Sequence, residues 1–105
     1  MILIHLKVHF GNQRTTYDQS IQVKEGSTPK KAVAQVFPIE SGKVCCDEQE
    51  VVSIDGVAVS PNDNLWWYCS VNGEGKTVSP HKTKLNANDS VEWTYVKKVK
   101  NNGDN

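Results

Sequence analysis

The clearest pattern in the chain is a period of two over the first ten residues, in which the apolar positions alternate with Leu3 and then with polar residues. Between the apolar positions stand His5, Lys7 and His9, so the period is two, which predicts a half-buried β-strand. The apolar positions of this strand are Ile2, Ile4, Leu6, Val8 and Phe10. After a turn at residues 11–14, a less regular second strand is marked by Tyr17, Ile21 and Val23. Because only a short turn separates them, we predict an antiparallel hairpin.

The next segment carries the signals of a short helix. Thr28 is placed to cap the free amide groups of a first turn, and Pro29 suits the first helical position because its missing N–H costs nothing there. Pro38 ends the helix after about nine residues. One apolar stripe follows from the spacing of Ala32, Val33, Val36 and Phe37.

The remainder of the chain is predicted to be strands and turns. Apolar residues surround the turn pair Asp55-Gly56, and an aromatic strand over residues 65–71 ends in the hairpin signal Asn72-Gly73. A short returning strand is expected at residues 77–78, and a last alternating strand begins at Val91.

This order of elements predicts the α+β class and, within it, a β-grasp (ubiquitin-like) fold. We expect a mixed sheet of four to six strands with one short helix packed on one face. Residues 1–99 are predicted to form a single domain, and residues 100–105, which contain no apolar side chain, a disordered polar tail.

Composition narrows the classes of partner. Twelve Lys and Arg balance twelve Asp and Glu, so the net charge of the 105-residue chain is zero and no basic face for nucleic acid is expected. No apolar run approaches the roughly 18 residues of a membrane span, and the first residues do not form the apolar segment of a signal peptide. The sequence does not assign the protein to a cellular compartment.

The three cysteines allow two interpretations. Cys45 and Cys46 are adjacent, so in an extended segment their side chains point to opposite faces. One of them would bridge to Cys69 if their strands pair; otherwise all three are reduced thiols in or near the core.

Several short motifs of residues 50–96 together resemble a known family. The segments are SIDGV at 53–57, WWYCSVNG at 66–73, VSP at 78–80 and NDSVEWTY at 88–95, with Leu85 between the last two. With the helix entry at residues 25–28, they are similar to the transcobalamin-like C-terminal domain family. In place of that family's Gly-Asp, this chain has Asn88-Asp89, and Asn also adopts the left-handed conformation that a glycine would.

The resemblance implies a β-grasp-like domain that binds ligands or partners and performs no chemistry. Relatives in the family are often secreted or located at the cell surface, and in the vitamin carriers this domain forms one face of a cobalamin site. There the corrinoid is held between two domains, and this chain carries one. We therefore expect no resident cofactor, with cobalamin as the only candidate that the resemblance offers.

The aromatic strand is the candidate contact surface. Neighbouring residues of a strand face opposite sides, so at most one of Trp66 and Trp67 belongs to the main core. The other, with Tyr68 and the hairpin pair Asn72-Gly73, is predicted to contact a small molecule or a protein. In the alternative interpretation the second tryptophan packs across the sheet against Trp93 or Tyr95.

Metal binding and catalysis find no support in the sequence. His5 and His9 share a strand face but lie about 13 Å apart at ~3.3 Å per residue, too far for one metal ion. Acidic neighbours of Cys45 and Cys46 disfavour a nucleophilic thiolate. Residues 73–77 read as a hairpin loop, since the glycine spacing and the following helix of a phosphate loop are missing. We predict no metal site and no enzyme.

The sequence thus favours a non-enzymatic binding module, monomeric or homodimeric, whose ligand stays unidentified. The alternative is a small accessory protein that acts through pairing of a sheet edge or through homo-oligomerisation. The long first strands are the candidate edges for that pairing.

Overall fold

The computed structural model describes residues 1–42, 49–75 and 78–97. Seven strands and one helix follow in the order β1 (Ile2–His9), β2 (Tyr17–Val23), α1 (Pro29–Val36), β3 (Ile39–Gly42), β4 (Glu50–Ile54), β5 (Val57–Ala58), β6 (Leu65–Val71) and β7 (Ser90–Lys97). A single 3-10 turn, Pro61–Asp63, joins β5 to β6. Cys45, Cys46, Thr77 and the predicted tail lie outside the described residues.

Four strands form a mixed sheet in the order β2-β1-β7-β6. The predicted hairpin is confirmed, because β1 pairs antiparallel with the full length of β2, from Ile2 opposite Val23 to Val8 opposite Tyr17. The central pair, β1 with β7, is parallel, and β6 closes the sheet antiparallel to β7. With one short helix, this architecture confirms the α+β prediction at the level of class.

The predicted mixed sheet is present with four strands, but β3, β4 and β5 form a separate three-stranded sheet that was not predicted. β4 pairs with β3 on one side and with β5 on the other, so neither of its edges is left for the larger sheet. β3 was not predicted at all. It follows Pro38 directly and contains one strongly apolar residue, Ile39, so it carries no alternating pattern.

The core lies on one face of the four-stranded sheet, under α1 and against the smaller sheet. From β1 the side chains of Ile4, Leu6 and Val8 are essentially inaccessible, as the alternation predicted. Ala32 and Val33 of α1 are fully buried. The opposite face of β1 carries the half-exposed His5, Lys7 and His9, so that face is polar as expected.

The helix begins and ends where the sequence predicted, within one residue. The Thr28 hydroxyl accepts a hydrogen bond from the Lys31 amide, and Pro29 occupies the first turn. Phe37 has already left the helical conformation. Its ring packs edge-on against Phe10, with 5.4 Å between centroids, which ties the end of α1 to the sheet.

Tight turns take the left-handed conformations that their residues favour. In both predicted turn pairs the two φ angles are positive, 50° and 83° at Asp55-Gly56 and 54° and 84° at Asn72-Gly73. Asn88 has a φ of 70°, so the asparagine does adopt the conformation expected of a glycine there. Of the returning strand predicted at residues 77–78, Val78 is described and is not in a strand, and Val71 and Glu74 form an isolated bridge.

No helix within the described residues is both long and apolar enough to cross a membrane.

Candidate functional site

The aromatic strand β6 presents its two tryptophans to different surroundings. Trp67 is 9% exposed and belongs to the core, whereas Trp66 is only partly buried and Tyr68 is 42% exposed. The prediction that at most one of the tryptophans is a core residue is therefore confirmed.

Trp67 joins the two sheets. Its indole Nε1 donates a hydrogen bond to the Val57 carbonyl of β5 at 2.8 Å. The ring packs edge-on against Phe10 at 5.6 Å between centroids and lies 5.1 Å from Tyr95. The Tyr95 hydroxyl also connects the two sheets, because it donates a hydrogen bond to the Ala58 carbonyl at 2.7 Å. Burial, and secondarily the Asp63 carboxylate, raises the pKa of Tyr95 above its ordinary value.

Trp66 lies on the other face, opposite Val96 of β7. Its Nε1 donates to the Asn64 side-chain oxygen at 2.8 Å, and Val96 is 39% exposed. The alternative in which this tryptophan packs against Trp93 or Tyr95 is wrong. Those two residues stand opposite Cys69 and Trp67 on the core face, because their positions in β7 have the other parity.

The side chain of Asn72 has a structural role that the sequence alone did not predict. Its side-chain amide donates to the Asp89 carboxylate, and its side-chain oxygen accepts from the Ser90 amide, both at 2.9 Å. The β6 hairpin is thereby fastened to the turn before β7. Gly73 completes the turn, with open space where a Cβ would stand.

A cavity of about 290 Å³, here called the tryptophan cavity, lies beside β6 and β4. Its polar lining residues are Glu50, Ser79 and His81. The other lining residues are apolar, namely Val51, Val59, Trp66, Trp67, Val78, Pro80 and Trp93. A mostly apolar lining that includes aromatic residues and a few polar ones is typical of small-ligand sites, and the volume lies at the lower end of their range, about 300 Å³.

A second, more open cavity of about 480 Å³, here called the hairpin cavity, lies at the other end of β6. Tyr68, Gly73 and Cys69 contribute to its wall, together with Thr94 of β7. Burial raises the pKa of the Cys69 thiol to about 12, so this sulfur is protonated at physiological pH. Cys69 forms no disulfide with any residue that the structure describes.

Of the five predicted contact residues, Trp66 and Trp67 line the tryptophan cavity, and Tyr68 and Gly73 line the hairpin cavity. Asn72 lines neither and holds the hairpin in place. Sequence reasoning missed Glu50, Val59 and His81. They come from separate parts of the chain, and no local pattern links them to the aromatic strand.

The polar face of the large sheet holds two histidine–carboxylate pairs. His5 contacts Asp18 through its Nε2, and His9 contacts Glu92 in the same way. The Lys7 amine lies 3.9 Å from the other Asp18 oxygen. The described part of the chain contains no group of three or more His, Cys, Asp or Glu side chains that could hold a metal ion.

Comparison with known proteins adds a family and a fold. The model of a domain of unknown function, DUF4430, matches residues 26–97. No curated protein sequence matches the chain.

Two solved structures share its architecture. Haptocorrin in complex with Cbi has a TM-score of 0.71 at 16% identity; the match covers 93% of this chain and 25% of haptocorrin. A provisionally assigned metal binding protein from Ruminococcus gnavus ATCC 29149 has the same TM-score and identity, over 94% of this chain and 100% of that one. This chain therefore spans about a quarter of haptocorrin, and at this identity the likeness is one of fold.

Proposed function

The chain belongs to the DUF4430 domain family, and from that premise we propose that it is a non-enzymatic binding module of the transcobalamin C-terminal type. The tryptophan cavity is the observation that carries this proposal. Its lining residues include Trp66, Trp67 and Trp93, together with the polar residues Ser79 and His81.

The size of the cavity limits the ligand. About 290 Å³ accommodates a small planar molecule or one substituent of a larger one. A whole corrinoid exceeds this volume and would have to lie across the surface. The favoured ligand is therefore a small aromatic molecule that stacks on an indole and accepts or donates a hydrogen bond at its rim.

The fold proposal is a β-grasp. The order β2-β1-β7-β6, with a parallel central pair and a helix after the first hairpin, is what that fold requires. The second sheet is then an insertion between the helix and the last two strands of the large sheet. The domain is proposed to occupy residues 1–99, in agreement with the sequence analysis.

Catalysis is not part of the proposal. The raised pKa of Cys69 disfavours the thiolate that a nucleophile needs. The Nε2 atoms of His5 and His9 contact the carboxylates of Asp18 and Glu92 on the polar face of the large sheet.

Intrinsic fluorescence tests the binding function. The chain is titrated with cobinamide, cobalamin and a panel of small aromatics and sugars, and free tryptophan corrects for absorption by the corrinoids. We expect a saturable change with a small aromatic. Val59→Phe should abolish it by filling the tryptophan cavity, whereas Thr94→Trp, which fills the hairpin cavity, should leave it intact.

The reverse pattern of the two variants would assign the ligand to the hairpin cavity, which carries Tyr68 and Gly73. A folded chain that responds to no compound would refute the ligand-binding function. The protein would then fit the alternative, an accessory protein that acts through a sheet edge.

A further inference from the structure

The outer edge of β2 carries backbone groups that pair with no described strand. Among the described residues β2 pairs with β1 alone. The β7 side of β1 is identified by two hydrogen bonds, because the His5 amide donates to the Asp89 carbonyl and the Leu3 carbonyl accepts from the Asn88 amide. Odd residues of β1 therefore direct their backbone groups to β7, and even residues direct theirs to β2.

The register then fixes which β2 residues face outward. Ile4 and Leu6 stand opposite Ile21 and Gln19, so odd residues of β2 bond to β1. The backbone groups of Asp18, Ser20 and Gln22 point to the open edge. A side-chain contact supports this direction, since the Gln35 amide donates to the Gln22 carbonyl at 2.6 Å.

The edge lacks the features by which proteins usually prevent strand pairing. β2 contains no proline and no lysine and has no bulge in its pairing with β1. Its only charged residue, Asp18, contacts His5 and lies 3.9 Å from the Lys7 amine. The net charge of the chain is zero, so two copies do not repel each other at long range.

We propose that two copies of this chain pair through β2, antiparallel and centred on Ser20, to form one continuous eight-stranded sheet. This inference does not depend on the proposed ligand. Ser20 would exchange backbone hydrogen bonds with its counterpart, and Asp18 with the Gln22 of the second copy. Gln35 releases the Gln22 carbonyl when the strands pair.

Strand overlap and charge both favour a pairing register centred on Ser20. Only a register centred on Ser20 pairs all of Tyr17–Val23 with its counterpart. It places Tyr17 opposite Val23 and Gln19 opposite Ile21 on the core side. A register centred on Asp18 would bring two carboxylates face to face, which is unfavourable.

Sedimentation tests the association. Because one strand pair buries less than a standard interface, we expect a weak dimer that forms between about 10 µM and about 1 mM chain. A chain that stays monomeric throughout that range refutes the proposal.

Cross-linking tests the register. In a hydrogen-bonded antiparallel pair the Cα atoms lie about 5.5 Å apart, within the range for a disulfide. Ser20→Cys should therefore form a 20–20 disulfide on mild oxidation, identified by mass spectrometry of the linked peptides. Asp18→Cys is the matched control, since two residues 18 would lie about 13 Å apart at ~3.3 Å per residue. A dimer in which the control links as readily as Ser20→Cys has a different interface.

Two variants at the same position separate backbone pairing from side-chain effects. Ser20→Pro removes the outward amide and leaves the β1 pairing intact, whereas Ser20→Ala keeps the amide. We expect the first to be monomeric and the second to dimerise as the parent does. Circular dichroism checks that both fold. A folded Ser20→Pro chain that still dimerises overturns the proposal.

Discussion

At the scale of a single residue, Cys69 illustrates how burial controls reactivity. Its pKa of about 12, against 9.0 for an exposed thiol, lowers the thiolate fraction below pH 9 by on the order of a thousandfold. We expect Cys69 to resist iodoacetamide at pH 8.5 in the folded chain and to react readily in urea. Peptide mass spectrometry distinguishes it from Cys45 and Cys46. Rapid labelling of Cys69 in the folded chain would contradict the burial.

The same thiol links stability to pH. Above pH 9 the unfolded chain loses the Cys69 proton, whereas the folded chain keeps it until about pH 12. The free energy of unfolding should therefore fall as the pH rises through this range. Urea unfolding at pH 8 and at pH 10.5 measures the fall. It should be smaller in Cys69→Ala, and an equal fall in both chains would mean that other groups cause it.

Asn72 combines a left-handed backbone with two side-chain hydrogen bonds. Asn72→Ala should lower the free energy of unfolding by about 1–3 kcal/mol, since it loses those bonds and strains the backbone. Asn72→Gly is the matched control, because it keeps the conformation and loses only the bonds. Equal stability of the two variants would show that the left-handed conformation contributes nothing.

At the scale of the element, the start of α1 depends on one hydroxyl. Thr28→Ala removes the acceptor for the Lys31 amide and should cost about 1 kcal/mol. Thr28→Ser retains the acceptor and should cost less. Urea denaturation of both variants checks this. A Ser variant as unstable as the Ala variant would attribute the loss to packing of the buried threonine methyl group.

Elements with a local signal were predictable, and their partners were not. The alternation of β1 and the Thr28-Pro29 entry of α1 lie within a few residues of sequence, and both were found. The division into two sheets depends on which strand pairs with β4, and no residue in Glu50–Ile54 encodes its partners. β1 was proposed as a free edge, yet it is the inner strand that β2 and β7 flank; this part of the alternative is corrected.

The candidate site divides in the same way. Trp66, Trp67 and Tyr68 are adjacent in sequence, so their concentration was visible at once. Val59 and His81 reach the tryptophan cavity only because the smaller sheet and the loop before β7 fold against β6. This part of the cavity lining is formed by long-range packing, which the periodicity of a strand cannot predict.

At the scale of the whole molecule, the two sheets are joined by side chains of β6 and β7. Trp67→Phe removes the bond to the Val57 carbonyl and leaves a gap, so it should cost about 2–4 kcal/mol. Trp66→Phe, on the other face, should cost less than about 1 kcal/mol. Urea unfolding followed by circular dichroism measures both. Equal losses would mean that Trp67 does not hold the sheets together.

The parallel pairing of β1 with β7 also determines when this domain folds. During synthesis, β1, β2 and α1 leave the ribosome well before Ser90–Lys97 has been made. Until then Leu6 and Val8 lack the neighbouring strand that completes their sheet. Closing so long a loop costs entropy and slows folding. Until β7 has been made, the nascent chain therefore exposes an apolar hairpin, which is the kind of surface that chaperones bind.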